Sequence, residues 1–234
     1  MIENTNTTKN RIFSDGFCAI IIVAVILIID QIIKMTVKTH MCLGESIRVT
    51  DWFFIDFVEN NGMAYGMTFF NKLVLSVFRI VAISAIAYYI YKVLKQKHRT
   101  GYIVCLSMVL AGAAGNIVDC MIYGLIFDAS TFFDVAQFVP WGEGYSSFLH
   151  GKVVDMFYFP LVVTTWPEWV PFYGGQEFIF FSPVFNFADA CISVGVVLLL
   201  LFYRKDLESV GTVFTLKKKE KTSTDRSSQQ DIEN

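Results

Sequence analysis

Four apolar runs, each close to the length that crosses a bilayer, dominate this chain: 17–36, 73–94, 102–126 and 184–203. A helix needs about 20 such residues to span a ~30 Å hydrocarbon core. Backbone amides in lipid find no water, so runs of this kind are viable only as helices with every amide paired internally. Of the 234 residues, 54% are hydrophobic, which is more apolar surface than a soluble domain of this length carries. The expected fold is an all-α polytopic membrane protein with four transmembrane helices. A net charge of −2 argues for no nucleic-acid partner.

The basic residues are distributed unevenly about these runs. Lys9 and Arg11 precede the first run, and Lys92, Lys95, Lys97 and Arg99 fill the turn between the second and third. Arg204, Lys205, Lys217, Lys218, Lys219, Lys221 and Arg226 follow the fourth. The long loops 37–71 and 127–183 hold only Lys38, Arg48 and Lys152, with Lys72 at a border. Positive residues stay on the cytoplasmic side, so both termini and the short turn are expected inside and both long loops outside. A cleavable signal peptide is the competing reading of 17–36. The lack of a small-x-small cleavage site, with Asp30 and Lys34 at its end, speaks against it.

The expected organisation is an N-terminal cytoplasmic tail at 1–16, a four-helix membrane domain at 17–205 and a disordered cytoplasmic tail at 206–234. That last tail is almost free of apolar residues after Thr215, and its Lys217–Lys221 cluster suits anionic membrane lipid. The first outer loop reads Ser46-Ile-Arg-Val-Thr-Asp-Trp-Phe-Phe-Ile-Asp-Phe-Val, with β-branched and aromatic residues in partial alternation. It predicts one or two short strands, hence a small extracytoplasmic, β-containing cradle beside the helices. The second outer loop carries Trp141, Trp166, Trp169, Phe172 and Tyr173, residues that suit the headgroup zone. The cysteines at 18, 42, 105, 120 and 191 have no spacing that suggests a metal site or a disulfide framework, and read as small packing residues.

Five polar clusters interrupt this pattern. Asp30 and Lys34 sit four residues apart on one helix face, where the bland reading is a local ion pair with Lys34 snorkelling to the headgroups. Glu59-Asn60-Asn61-Gly62-Met63-Ala64-Tyr65-Gly66 reads as a turn. Gly112 and Gly115 allow close helix packing, and Asn116 and Asp119 share a face of the same helix. Asp155 lies in Gly-Lys-Val-Val-Asp-Met-Phe, and Asn186 and Asp189 stand three apart where the fourth run begins. There a carboxylate cap of the helix N-terminus is the bland alternative. It leaves unexplained why Asp155, Asn116 and Asp119 collect at the same depth, since carboxylates at membrane depth are costly and mark function.

In this order the five segments resemble the lipoprotein signal peptidases, also called signal peptidase II. Members show Asp-Gln-x-x-Lys, Asn-x-Gly-x-Ala-aromatic, Gly-Gly-x-x-Gly-Asn-x-x-Asp-Arg, Gly-x-Val-x-Asp-aromatic and Phe-Asn-x-Ala-Asp, matched here at 30–34, 60–65, 111–120, 151–157 and 185–189. The resemblance spans about 17–205. Ala111 stands in place of the first glycine of the third motif, Cys120 in place of its arginine and Tyr65 in place of the commoner phenylalanine. The loss of that arginine removes an expected partner of Asp119. The stretches 124–149 and 160–182 are longer than the family usually shows, and are read as an extra outer flap.

The resemblance implies a membrane aspartic endopeptidase in the bacterial cytoplasmic (inner) membrane, with its active site near the outer face. Asp155 and Asp189 match the catalytic pair. Asn60, Gly62, Ala64, Gly112, Asn116, Asp119, Asn186 and Ala188 match positions around the pocket, and Asp30 and Lys34 support the architecture. Its substrates are prolipoproteins with a lipobox whose cysteine carries diacylglycerol, cut just before that cysteine, and globomycin-type inhibitors block it. No metal or other cofactor is implied. Two nearby carboxylates that share one proton could serve as base and acid on a bound water. The alternative from another class is a small proton-coupled transporter or channel subunit using intramembrane aspartates. Transporters usually show repeats or helices broken at the midplane, which this chain lacks. A non-catalytic membrane scaffold, with the aspartates as caps, is a third reading.

Overall fold

Among the described residues of the computed structural model, three helices are long and apolar enough to cross a membrane: 27 residues at Ser14–His40, 23 at Lys72–Leu94 and 27 at Thr100–Ile126. The structure describes residues 2–61, 72–96 and 98–208, with side chains from Ser14 onward. Helix α1 runs Ile2–His40, α2 Lys72–Leu94 and α3 Thr100–Val118. A wide π-helical turn, Asp119–Tyr123, and the short α4, Gly124–Ile126, continue the α3 rod. A fourth apolar helix, α5, spans Phe187–Phe202, and α6 spans Arg204–Glu208. At 16 residues α5 is about 24 Å long, shorter than the run 184–203 suggests, because Asn186 caps it and the chain before it is drawn into a bridge with a strand. No proline or glycine interrupts 2–15, and α1 is helical from Ile2 onward. At the other end Arg99 donates to the Phe202 carbonyl and to Asp206, holding α6 beyond the expected boundary at 206. Residues 209–234, Gly62 and Ala64 lie outside the described residues.

Large apolar side chains point away from the bundle on α1, α2 and α5, including Ile20, Phe78, Val81, Leu200 and Leu201. Such a surface is stable in hydrocarbon and a liability in water. Inside, the two largest apolar clusters of the described residues sit at opposite ends. Near the 95–99 turn, Ala19, Ile90, Val93, Tyr102, Ile103, Leu106 and Leu199 pack together. At the far end, Val37, Met41, Tyr123 and Phe127 pack on Phe57, Val154 and Met156 from a small sheet.

That sheet has the order β1-β2-β3, antiparallel throughout: β1 Ser46–Arg48, β2 Phe54–Asn60 and β3 Val153–Tyr158. Two strands in the first loop meet the expectation from its alternating pattern. The β2–β3 register slips between Ile55 and Val58, so Val58 faces Asp155, Glu59 faces Val154 and Asn60 faces Val153. On β3, Val154 and Met156 enter the apolar core, and Asp155 therefore points to the opposite face. The two long stretches of the second loop behave differently. Residues 160–182 contain the hairpin of β4, Val162–Thr165, and β5, Glu177–Phe180, with Trp169 and Phe172 at its exposed end. Residues 127–149 are anchored at a few points and otherwise exposed, with Phe132, Phe133, Phe138 and Trp141 on the surface. They fold back on the helix ends, with Phe127 and Ala136 buried and the Leu43 N–H donating to Thr131.

Helices α3 and α5 approach closely through glycines, Gly112 against the Ala188 carbonyl and Gly195 against the Cys105 carbonyl. A Cβ on Gly112 would lie 2.3 Å from the Ala188 carbonyl oxygen, a distance no side chain tolerates. Gly112→Ala should thus cost about 1–3 kcal/mol through forced separation of the helices. Gly16→Ala, whose Cβ would meet Leu94 at an ordinary 3.7 Å, should be neutral or stabilising. Thermal unfolding of both variants in detergent checks the contrast.

Candidate active site

The site forms where the β3 strand meets the start of α5. Phe157 and Phe185 exchange backbone hydrogen bonds at 2.7 and 3.0 Å, an isolated antiparallel bridge between segments that precede and follow the hairpin. This bridge places Asn186 beside Asp155. The Asn186 side-chain amide donates 2.6 Å to Asp155 Oδ1 and 3.0 Å to Asn116 Oδ1. The Asn116 amide in turn donates 2.7 Å to Asp189 Oδ1. Asp155 and Asp189 are thus joined through two asparagine side chains, one on α3 and one at the α5 cap.

Local chemistry explains each placement. Asn186 is an extended residue at the N-cap of α5, and its Oδ1 accepts the Asp189 N–H at 2.9 Å. Asp189 Oδ2 accepts the Asn186 N–H in return at 3.4 Å, completing a capping box. The capping alternative for Asp189 is therefore correct for one oxygen and incomplete for the other, which faces Asn116. Asp155 Oδ2 accepts from Asn60 at the end of β2, at 3.1 Å. Burial first, then the neighbouring Asp189 carboxylate, push Asp155 up to about 7, against the pull of the Asn60 and Asn186 amides.

Beneath this pair lies a second polar layer. Lys34 is fully buried, and its ammonium meets Asp30 at 2.9 Å, Asp119 at 2.8 Å and Asn116 Oδ1 at 2.8 Å. The snorkelling alternative is thereby excluded for Lys34. Asp119, left without the family's arginine, also accepts from Gln31 at 2.9 Å and from the Val154 N–H at 3.4 Å. It opens the π-helical turn, a local widening of the helix often found at functional sites. Cys120 is buried, and the guanidinium of Arg79 on α2 lies 3.5 Å from its sulfur. Asp30 Oδ1 accepts the Ala188 N–H at 3.0 Å, tying α1 to the first turn of α5. Gly112 and Gly115 let α5 approach closely enough for that bond: a Cβ on Gly115 would lie 2.6 Å from Asp30 Oδ2.

The structure brings together Asp30, Lys34, Asn60, Gly112, Asn116, Asp119, Asp155, Asn186, Ala188 and Asp189. Gln31, a residue of the Asp-Gln-x-x-Lys motif, belongs to the same network, and so does Tyr123, which no motif includes. The Tyr123 hydroxyl donates 3.1 Å to Gln31 Oε1. A helical wheel places Gln31 one step from Asp30, but nothing in the sequence pairs it with Tyr123. Among the described residues no cluster of three or more His, Cys, Asp or Glu side chains is placed to hold a metal ion.

Fold and site together define a helical membrane protein with an amide-bridged carboxylate pair, Asp155 buried and Asp189 half-buried. The family profile of signal peptidase (SPase) II matches residues 22–204. A lipoprotein signal peptidase of Porphyromonas gingivalis is 51% identical over 183 residues, 78% of this chain and 80% of its own. One of Amoebophilus asiaticus is 35% identical over 199 residues, 82% of this chain and 79% of its own. A solved bacterial membrane enzyme superposes with a TM-score of 0.54 at 23% identity, over 81% of this chain and 89% of that one, and so shares the fold. The chain belongs to the signal peptidase II family, the lipoprotein signal peptidases.

Asn186 both caps α5 and bridges the carboxylates, and two substitutions separate these duties. Asn186→Ser keeps a capping oxygen while removing the amide, so stability should stay near wild type and peptidase activity fall at least about tenfold. Asn186→Ala should lose activity and also about 1 kcal/mol of stability. Paired thermal unfolding and cleavage assays check both.

Proposed function

We propose that the chain is an aspartic endopeptidase that removes the signal peptide from diacylglyceryl-modified prolipoproteins, cutting just before the lipidated lipobox cysteine. The observation that carries this reading is the Asp155–Asn186–Asn116–Asp189 bridge, which gathers two carboxylates at the end of the bundle that bears the sheet. Two carboxylates in one low-dielectric site do not both ionise at neutral pH, so the pair holds one proton. The ionised member draws a proton from a water held between them. The neutral member donates a hydrogen bond to the scissile carbonyl and then helps protonate the leaving amine.

The asparagines prepare this state. Donors from Asn60 and Asn186 hold both oxygens of Asp155, and Asn116 with the capping box holds Asp189, so neither carboxylate must reorganise when the reaction begins. Lys34 supplies one buried positive charge to a network that contains Asp30, Asp119, Asp155 and Asp189, leaving it rich in carboxylates.

In this reading α5 is the fourth span, and both termini and the 95–99 turn face the cytoplasm of a bacterial inner membrane, as the basic residues suggest. The domain runs from about 17 to 205. The β1-β2-β3 sheet is an extracytoplasmic cradle over the substrate, and the β4–β5 hairpin with its exposed Trp169 and Phe172 lies at the outer headgroup boundary. The substrate's acyl chains lie between helices, and globomycin competes for the same place.

Purified protein should cleave a diacylglyceryl-modified prolipoprotein, and globomycin should block it. Asp155→Asn and Asp189→Asn should each reduce the rate by about 10³-fold or more while leaving the fold intact. Activity of either variant near the wild-type rate would overturn the mechanism and restore the scaffold reading. The rate should also fall on the alkaline side with a midpoint near 7, because Asp155, raised to about 7, gives up the shared proton above that pH. A rate that stays flat to pH 9 would contradict the one-proton pair.

A further inference from the structure

A second buried charge cluster lies outside the carboxylate pair. Glu59, whose side chain is 3% exposed, accepts from Lys38 at 2.6 Å through Oε1 and from Lys152 at 2.7 Å through Oε2. Ser130 donates to Glu59 Oε1 at 2.9 Å and accepts from Lys38 at 2.8 Å. The fully buried Lys38 ammonium also sits over the rings of Phe127, at 5.3 Å, and Tyr145, at 5.1 Å. The Tyr145 hydroxyl accepts the Lys152 backbone N–H at 2.7 Å. Four parts of the chain thus converge on one carboxylate: the end of α1, the end of β2, the entry to β3 and the folded-back segment 127–149.

Stability alone explains such a cluster poorly. A buried ion pair is often no better than apolar side chains of the same volume, and its best-attested use is to fix a register. Register is the quantity at risk here. The β2–β3 pairing already slips between Ile55 and Val58, and a one-residue shift would turn side chains to the opposite face. Glu59 immediately precedes Asn60, the donor to Asp155, and Lys152 lies three residues before Asp155.

We propose that Glu59 is a positioning residue: gripped by Lys38 and Lys152, it locks the β2–β3 register that presents Asn60 to Asp155, and Ser130 and Tyr145 of the 127–149 segment close the grip. This rests on the reading of Asp155 as one of the catalytic pair. It gives the long 127–149 segment a task, the bracing of the strand pair on the face where Phe127 and Val154 join the core of the helix ends.

Lys152 offers the cleanest test. Glu59→Gln strands a buried ammonium and risks unfolding the protein. Lys152 is 34% exposed, and Lys152→Met keeps the alkyl stem and the Lys38–Glu59 pair. With full-length protein in detergent and a diacylglyceryl-modified prolipoprotein, Lys152→Met should lower kcat by about tenfold with KM within about twofold. Losing the Asn60 donor should also move the alkaline limb of the rate profile to higher pH, since that hydrogen bond favours ionised Asp155. Asp189 on α5 and Lys34 on α1, the charged groups acting on Asp155, are untouched by the substitution. Lys152→Arg should restore both kcat and the profile. A wild-type kcat in Lys152→Met overturns the proposal. So does a lower kcat with an unmoved pH profile and no rescue by arginine, which is the signature of general loosening. Asp155→Asn is run alongside. If it is inactive and Lys152→Met is unaffected, the positioning role alone fails; if it is active, the catalytic reading fails and the positioning role with it.

Discussion

The Lys34 ammonium, buried without access to water and shared among Asp30, Asp119 and Asn116, is the interaction on which the rest of the structure depends. An isolated charge inside a bundle of apolar helices would be prohibitive, so the three partners must arrive together. Asp30 comes from the same helix, Asp119 from the π-helical turn after α3, and Asn116 from the turn before it. Satisfying one cation therefore fixes α1 against α3. Asp30 then uses its second oxygen to hold the first turn of α5 through the Ala188 N–H, and three helices are set by one charge.

The carboxylate pair is built on this platform. Asn116 lends one atom to each layer: its oxygen accepts from Lys34 and Asn186, and its amide reaches Asp189. Asp119 likewise faces down to Lys34 and across to the Val154 N–H, next to Asp155. The layer that stabilises and the layer read as catalytic share atoms, so the site cannot loosen without the helices separating. Such coupling suits catalysis, which gains from groups already oriented before the substrate arrives. The glycines of α3 serve the same end by sterics, since Gly112 and Gly115 admit the α5 backbone and the Asp30 carboxylate where any side chain would exclude them.

The departures from the family pattern become legible at this level. Cys120 removes an arginine from beside Asp119, yet Asp119 is held by Lys34, Gln31 and a strand amide. A guanidinium is nevertheless present near position 120, delivered by Arg79 from another helix. The two long insertions, alike in sequence as aromatic-rich loops, part company in the structure. One is anchored at Phe127, Ser130 and Ala136, which are buried, while its Phe133 and Trp141 stay exposed; the other keeps Trp169 and Phe172 on its surface.

What the sequence determined by itself was set by local rules. Apolar run length specified the helices and alternation specified strands in the first loop, because each depends on residues a few positions apart. The five motifs, taken in order, also specified the family and named nearly every residue of the candidate site. The tertiary structure decided what depends on distance in the chain. The Phe157–Phe185 bridge brings Asp155 to Asn186 across the whole hairpin, and no local pattern announces it. Tyr123 and Lys38 look unremarkable in sequence, and Gln31 and Glu59 stand in polar motifs that give them no partner, because each gains its role from a residue at least 21 positions away. A buried polar side chain is specified by whoever satisfies it, and only the folded chain says who that is.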